Sequence, residues 1–390
     1  MNVVRNQPEG VANRLHLSEP ALNDIAGTLF QWHIDGDAGM QFALYKEGEL
    51  AIELALGFDP FTKANIDPDT LFCILSTTKA LGAMVMLLLH DKGYFEWTDQ
   101  IADYWPRFGQ HGKSEATIEH LMSHSVGIPH LTAPWELWTN QRAMAELVEN
   151  SEPLWRPGTQ HEYHGGIYGT MLNELVLRWT GRSPGEILRE NIVEPSGFQH
   201  CYMGVNQAEL RRLAKLTFLE SIPVDRLDGP VVSKDFPPWG DNTFYNSDLV
   251  LSTCQPSGGG VASAHDLAGV FNILAFERKF GNGRFWTQTT QAEATRARNV
   301  GITKTGKNSA LQAASWGLGF IVSPSPVFFG AKPPGPRTLG HAGASGSVAF
   351  ADPDARIAVA FTINGLIGAR QYMRYQVLGD LVQKACRIQS

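Results

Sequence analysis

The chain has 390 residues, 43% of them hydrophobic and 18% charged, with 32 Lys and Arg against 39 Asp and Glu. That composition excludes a mostly disordered chain, and the net charge of −7 offers no electrostatic footprint for nucleic acid or an anionic membrane. The length exceeds what one compact core usually holds and predicts two packed subdomains. Cys73, Cys201, Cys254 and Cys386 are scattered with no Cys-x-x-Cys pair, so four free, mostly buried thiols are expected. The opening MNVVRNQPEGVANRLHL has neither the apolar core nor the cleavage site of a secretory signal, and the longest apolar stretch, Ala80 to Leu89, is too short for a bilayer. A soluble, cytoplasmic protein is the expectation.

In chain order, residues 1–17 read as an N-terminal extension and Ser18 to His33 as an amphipathic helix. Two apolar or alternating runs around Lys46-Glu47-Gly48 predict a hairpin. After Ser76 the pattern turns helical, stays apolar to Leu89 and stops at Gly93. From Asp99 to Gly283 it is helical with many Pro and Gly loops. The aperiodic segment Ile222 to Gln255, with Phe236, Trp239, Phe244 and Tyr245, reads as a long excursion at a pocket mouth. Strands return at Trp316 to Val322, Thr338 to His341, Gly346 to Asp352 and Arg356 to Thr362, with a turn at Asp352-Pro353-Asp354-Ala355 and a final helix from Arg370 to Lys384. The pattern predicts an α/β (α+β) fold. An antiparallel sheet is built from both ends of the chain (18–75 and 310–390), a mostly helical subdomain (76–309) is inserted, and the site lies at the seam.

Three motifs carry chemistry. In Ser76-Thr77-Thr78-Lys79, Ser and Lys three apart at a helix entry share a face. A serine hydroxyl needs a base to become a nucleophile, and a lysine serves when its pKa is lowered. The helix N-terminus adds N–H groups suited to an oxyanion. Arg156-Pro157-Gly158-Thr159 delivers Tyr163 on a loop before a helix from about Ile167 to Trp179, where a phenol beside a lysine can relay a proton. Gly340-His341-Ala342-Gly343-Ala344-Ser345-Gly346 offers small residues against which a substrate can lie, with His341 as a hydrogen-bonding group. The N–H of Ala344, together with that of Ser76, is the candidate oxyanion hole.

At these residues the chain resembles the class C β-lactamase and penicillin-binding-protein superfamily, and within it the family VIII carboxylesterases. Ser76-x-x-Lys79 stands for that family's Ser-x-x-Lys, Tyr163 for its catalytic Tyr after Pro-Gly-Thr, and His341-Ala342-Gly343 for its Lys-Thr-Gly or His-x-Gly. Ile101-Ala-Asp-Tyr-Trp-Pro106, Thr117 to Pro129 and Pro256-Ser-Gly-Gly-Gly260 extend the likeness, which runs from roughly Phe30 to Arg374. The resemblance implies a β-lactamase/transpeptidase-like fold, catalysis by Ser76, Lys79 and Tyr163, and no metal or organic cofactor. Two departures bear on substrate. The family's Tyr-x-Asn is here Tyr163-His164-Gly165, and the lysine of Lys-Thr-Gly is His341. Losing an amide-binding Asn and a fixed cation favours neutral esters over anionic lactams. His341, Gly343, His164 and Trp239 are the candidate substrate contacts.

Other features are weighed against this reading. Lys304-Thr305-Gly306 spells the lactamase tripeptide but lies in a polar loop with no following strand. His120 and His124 are four apart on an expected helix without the third ligand of a zinc site. No Gly-x-Ser-x-Gly elbow is present, and the glycines at 258–260 lack a phosphate loop's spacing. Trp135 and Trp138 suit an acyl pocket or the core equally. The expected function is hydrolysis of a small-molecule ester. The alternatives are acyl transfer to an alcohol, a lactamase or D-peptidase activity, and a silent binding module; no nucleic-acid or membrane partner is expected, and oligomeric state stays open.

Overall fold

The computed structural model describes residues 3–36, 38–131, 135–218, 242–276, 284–300, 303–305, 309–332, 334–366 and 370–386. Among these residues, eight strands form one antiparallel sheet. They are β1 (Val3–Asn6), β2 (Met40–Lys46), β3 (Glu49–Leu56), β4 (Ser315–Trp316), β5 (Ile321–Val322), β6 (Leu339–Ala342), β7 (Val348–Asp352) and β8 (Ile357–Ile363), in spatial order β1-β3-β2-β8-β7-β6-β5-β4. The two ends of the chain meet where β2 pairs with β8, Met40 opposite Ile363 and Lys46 opposite Ile357.

Both faces of this sheet are covered, and its strands accordingly read as nearly unbroken apolar runs. The faces differ in side-chain size. Phe42, Leu44, Phe350, Val359 and Phe361 point toward the terminal helices α1 (Glu19–Ile34) and α5 (Arg370–Cys386). Ala43, Ala349, Ala351, Ala358 and Ala360 point the other way, and their small size lets α4 (Ala264–Ala275) lie close to the sheet. Helix α1 begins at Ser18, whose hydroxyl accepts the Ala21 N–H at 3.4 Å.

The inserted region is organised around α2 (Thr78–Asp91), in which every residue from Thr78 to Leu89 is buried. Helix α3 (Ile167–Thr180) packs beside it. A second, four-stranded sheet places Leu71–Cys73 between Gly260–Ala262 and Leu213–Ala214, with Cys201–Met203 outside. Leu71–Cys73 leads directly into the turn that carries Ser76. The four cysteines are free.

The N-terminal residues read as an extension supply β1, which pairs with β3 from Val3–Leu56 to Asn6–Glu53. A four-residue strand is too short for periodicity to reveal. One buried carboxylate ties this edge to α4. Glu53 accepts the Asn6 amide at 2.7 Å and pairs with His265 Nδ1 at 3.0 Å, while His265 Nε2 meets the Tyr45 hydroxyl at 3.0 Å. Burial pushes the Glu53 carboxyl up, but the His265 and Asn6 contacts outweigh it and hold it below the usual range. Burial likewise pushes His265 down, and Glu53 more than reverses that.

The pair therefore stabilises the fold between the lowered Glu53 pKa and the raised His265 pKa. Its contribution is lost above that window as His265 deprotonates and below it as Glu53 protonates. Glu53→Ala is expected to cost about 2 kcal/mol at neutral pH, less than a fully buried pair because His265 is half-buried. Chemical denaturation of both proteins from pH 4 to 9 checks this, the difference shrinking at the alkaline end.

Candidate active site

Ser76 lies on a single 3-10 turn, Leu75–Thr77, that runs into α2. The backbone at Leu75 is left-handed, with φ +40°, a conformation that costs a leucine on the order of 1–3 kcal/mol and persists only when surrounding contacts enforce it. Those contacts come from two sides. From one, Gly260 C=O accepts the Ile74 N–H at 3.0 Å and Gly260 N–H donates to Thr78 Oγ1 at 2.8 Å, while Thr78 Oγ1 donates to Leu75 C=O. From the other, Ser347 on the turn before β7 donates its hydroxyl to Ile74 C=O at 2.7 Å. With its one proton spent, Ser347 Oγ is left to accept from Thr77 Oγ1 and Ser345 Oγ, each at 3.0 Å. Ser76 itself is partly exposed.

Lys79 sits one turn further along α2, 1% exposed, with Nζ 3.4 Å from Ser76 Oγ. Nζ donates to the Ser257 carbonyl at 2.8 Å and lies 4.9 Å above the Tyr163 ring and 5.9 Å from that of Tyr168. No ion pair holds it among the described residues, and burial pushes its pKa well below the ordinary lysine value. A neutral amine in this place gives one N–H to Ser257 and offers its lone pair to the Ser76 proton.

Tyr163 arrives on the loop between a two-residue strand, Gln160–His161, and α3. Its hydroxyl is buried and turned toward Ser76, near enough to feel it but outside hydrogen-bond geometry, with no other partner among the described residues. Burial pushes the phenol well up, and the Ser76 hydroxyl offsets part of that. Ser257 fixes the entry of α3 from beside Lys79, its hydroxyl accepting the Gly169 N–H and donating to Gly166 C=O at 2.7 Å. The serine is thus a single joint between the Ser76–Lys79 helix and the Tyr163 loop.

His341, at the end of β6, is 1% exposed, and its ring lies 6.1 Å from Tyr163 and 5.6 Å from Trp316. Its Nδ1 donates to Ala342 C=O at 2.8 Å, so the neutral ring presents an Nε2 that has no partner among the described residues. Gly343 is pressed against the nucleophile turn. A Cβ there would stand 2.1 Å from Ile74 C=O, so the residue sets the approach of β6 to Ser76 and cannot act through a side chain. Ala344, read as an oxyanion donor, follows directly and packs against the cluster containing Leu75.

His164 is read from the sequence as a substrate contact. The structure buries it completely and uses it to hold the loop: its backbone N–H donates to His124 Nδ1 at 3.2 Å and its ring Nδ1 to Glu162 C=O at 2.6 Å. Trp239 lies outside the described residues. Trp138 packs against the Leu75–Tyr202 cluster.

Lys304-Thr305 is not an idle polar loop. Thr303–Lys304 pairs with Gln160–His161, and Thr305 N–H donates to His161 C=O at 2.8 Å, so this segment braces the Tyr163 loop. The helix expected to carry both His120 and His124 ends at Met122. His120 caps its start through Thr117, and His124 stands in a left-handed turn beneath Tyr163, ring centroids 4.9 Å apart. Among the described residues no three His, Cys, Asp or Glu side chains converge as metal ligands.

Sequence reasoning missed His124, His161, Tyr168, Ser257, Trp316 and Ser347. The histidines flanking Tyr163 in Gln160-His161-Glu162-Tyr163-His164 were the available signal. Burial depresses all four imidazoles around Tyr163: His161 to about 4, His164 and His341 to about 3, and His124 well below its usual value. The Lys304 ammonium adds to this at His161, and a proton on Lys79 would add to it at His341.

Below pH 6.5 the unfolded chain binds protons that the folded one refuses, so stability is complete above that value and falls as the solution acidifies. The melting temperature is expected to drop steeply from pH 6.5 to 4. His164→Gln should flatten that slope in scanning calorimetry; a level melting temperature in the parent would contradict buried neutral imidazoles.

Residues 32–380 match the family model described as Beta-lactamase. The chain is 25% identical over 349 residues to the esterase/β-lactamase LipL of Mycobacterium tuberculosis, covering 84% of this chain and 77% of that protein. A penicillin-binding-protein homologue from Caulobacter crescentus superposes with a TM-score of 0.78 at 27% identity, over 98% of this chain and 100% of the other. A family VIII carboxylesterase shares the fold, with a TM-score of 0.79 at 23% identity, over 99% and 100% of the two chains. With Ser76, Lys79 and Tyr163 brought together on this fold, the chain belongs to the β-lactamase family and is a serine hydrolase.

Proposed function

We propose that the protein cleaves neutral carboxylic esters through an acyl-enzyme on Ser76. The observation that carries this reading is Lys79, buried without an acidic partner and 3.4 Å from the Ser76 hydroxyl. Ser76 Oγ attacks the ester carbonyl while Lys79 takes its proton. Tyr163, whose hydroxyl is turned toward Ser76, gives its proton to the departing alkoxide and recovers one from Lys79. The N–H groups of Ser76 and Ala344 receive the oxyanion. Water then attacks the acyl carbonyl, the same groups take its proton and return it to Ser76 Oγ as the bond to the acyl group breaks, and the acid leaves.

The choice of ester over lactam rests on charge. A β-lactam carries a carboxylate that needs a fixed cation, and the residue at that place, His341, is neutral at working pH because burial holds its pKa at about 3. Support for an esterase comes from LipL, whose name, esterase/β-lactamase, covers both ester and lactam, and a neighbour in fold is a carboxylesterase. Transfer of the acyl group to an alcohol differs only in which nucleophile ends the cycle, and product analysis with a competing alcohol separates the two.

Hydrolysis of p-nitrophenyl butyrate, with nitrocefin as the lactam control, tests the proposal. Ser76→Ala and Lys79→Met are expected to lose at least about 10³-fold in kcat, and Tyr163→Phe about 10²-fold, in line with removal of a nucleophile, its base and a proton relay. Ester turnover by Ser76→Ala at the parent rate would sink the assignment, and nitrocefin turnover exceeding that of the ester would move it to lactams.

A further inference from the structure

The peptide between Gly343 and Ala344 is held from behind by a residue of the terminal helix. Tyr375 on α5 is 1% exposed, and its hydroxyl donates to Gly343 C=O at 2.7 Å. The same oxygen accepts the Gly346 N–H at 2.8 Å across the turn, and Gly343 N–H is engaged by Ser347 C=O at 2.8 Å. A trans peptide is planar, with its C=O and N–H pointing in opposite directions. Fixing Gly343 C=O toward α5 therefore fixes Ala344 N–H away from it. Gly343 lies against Ile74 and Ala344 against the cluster that contains Leu75, so this peptide borders the nucleophile turn.

We infer that Tyr375 is a positioning residue for the oxyanion hole, acting through the Gly343–Ala344 peptide to aim the Ala344 N–H at the reacting carbonyl oxygen. The assignment rests on the ester-hydrolase reading above. Burial pushes the Tyr375 phenol well up, so the hydroxyl remains a donor at every working pH. Its ring packs near Phe328 and Tyr372, with centroids at 6.3 and 6.1 Å, and those contacts do not need the oxygen. Removing the oxygen alone leaves Gly346 as the one anchor of the Gly343 carbonyl among the described residues, and the peptide gains freedom to rock. An oxyanion donor acts only on charge that appears in the transition state, so this freedom costs kcat and leaves substrate binding alone.

The test compares the parent, Tyr375→Phe, and a chain with p-aminophenylalanine at position 375, which restores an N–H donor on the same ring. Each is assayed for p-nitrophenyl butyrate kinetics and for inhibition by phenylboronic acid, whose serine adduct is a tetrahedral anion. Loss of one of two anchors should cost less than deletion of the donor, so Tyr375→Phe is expected to lose about 10-fold in kcat, with KM held within about twofold and a parallel loss of boronate affinity. The p-aminophenylalanine chain should recover most of both. Unchanged kcat and boronate affinity in Tyr375→Phe, or a rise in KM alone, would overturn the assignment. Should Tyr375→Phe not fold, a folded p-aminophenylalanine chain with parent kinetics supports it and one without turnover overturns it. An inactive parent that also resists a fluorophosphonate probe would fail the functional reading itself and this inference with it. An active parent matched by Tyr375→Phe would fail the inference alone.

Discussion

The burial of Lys79 without a carboxylate partner is the constraint on which the rest of the site depends. An ammonium ion in an apolar interior is costly, so burial pulls the Lys79 pKa down toward the neutral amine that a serine base requires. An acidic neighbour would have stabilised the charge and removed the base. Everything packed around Lys79 respects this. Tyr163 and Tyr168 present rings, Ser257 presents a carbonyl, and the histidines beyond them are buried in their neutral forms. The apolar run from Ala80 to Leu89 has the same cause, because only a helix at the centre of the core can carry its first-turn lysine into a dry place.

Two serines then join motifs that lie far apart in the chain. Ser257 gives its carbonyl to Lys79 and its hydroxyl to the entry of α3, so one residue bonds both the base and the helix that follows the phenol. Ser347 gives its hydroxyl to Ile74 and receives those of Thr77 and Ser345, which locks the strained Leu75 turn to the turn that carries Ala344. Both are buried, and leaving their partners unpaired would cost about 1–3 kcal/mol for each orphaned group. The site is thus rigid through side chains that never touch the substrate. Tyr375 extends the same logic to the terminal helix.

The three motifs were legible in the sequence because the chemistry restricts residue type at fixed spacing. Ser76 and Lys79 share a helix face by geometry, and the Pro-Gly turn announces the Tyr163 loop. The sheet was legible because both its faces are buried, which turns β2, β7 and β8 into apolar runs that no surface strand would show. Ser257, Ser347 and His124 were not legible, since a serine that bonds a backbone carbonyl 273 residues away looks like any other serine. The edge strand β1 was too short to show a period, and its place comes from pairing with β3. Lys304-Thr305 was set aside on local context, whereas its role as a brace for the Tyr163 loop exists only through a parallel pairing across the fold.

The exchange of a fixed cation for His341 changes more than charge. A lysine at that position would lie beside Lys79, and a charge on either would push the other toward neutrality, the direction in which a charge on Lys79 would move His341. With a neutral imidazole, Lys79 feels no positive neighbour from that side and its pKa is set by burial. The bare Nε2 of His341 is an acceptor, so it repels a carboxylate and welcomes a hydroxyl or nothing at all. In the proposed ester hydrolase, discrimination against anionic substrates and independence of the lysine base would follow from one substitution, which is why the two belong to the same physical argument.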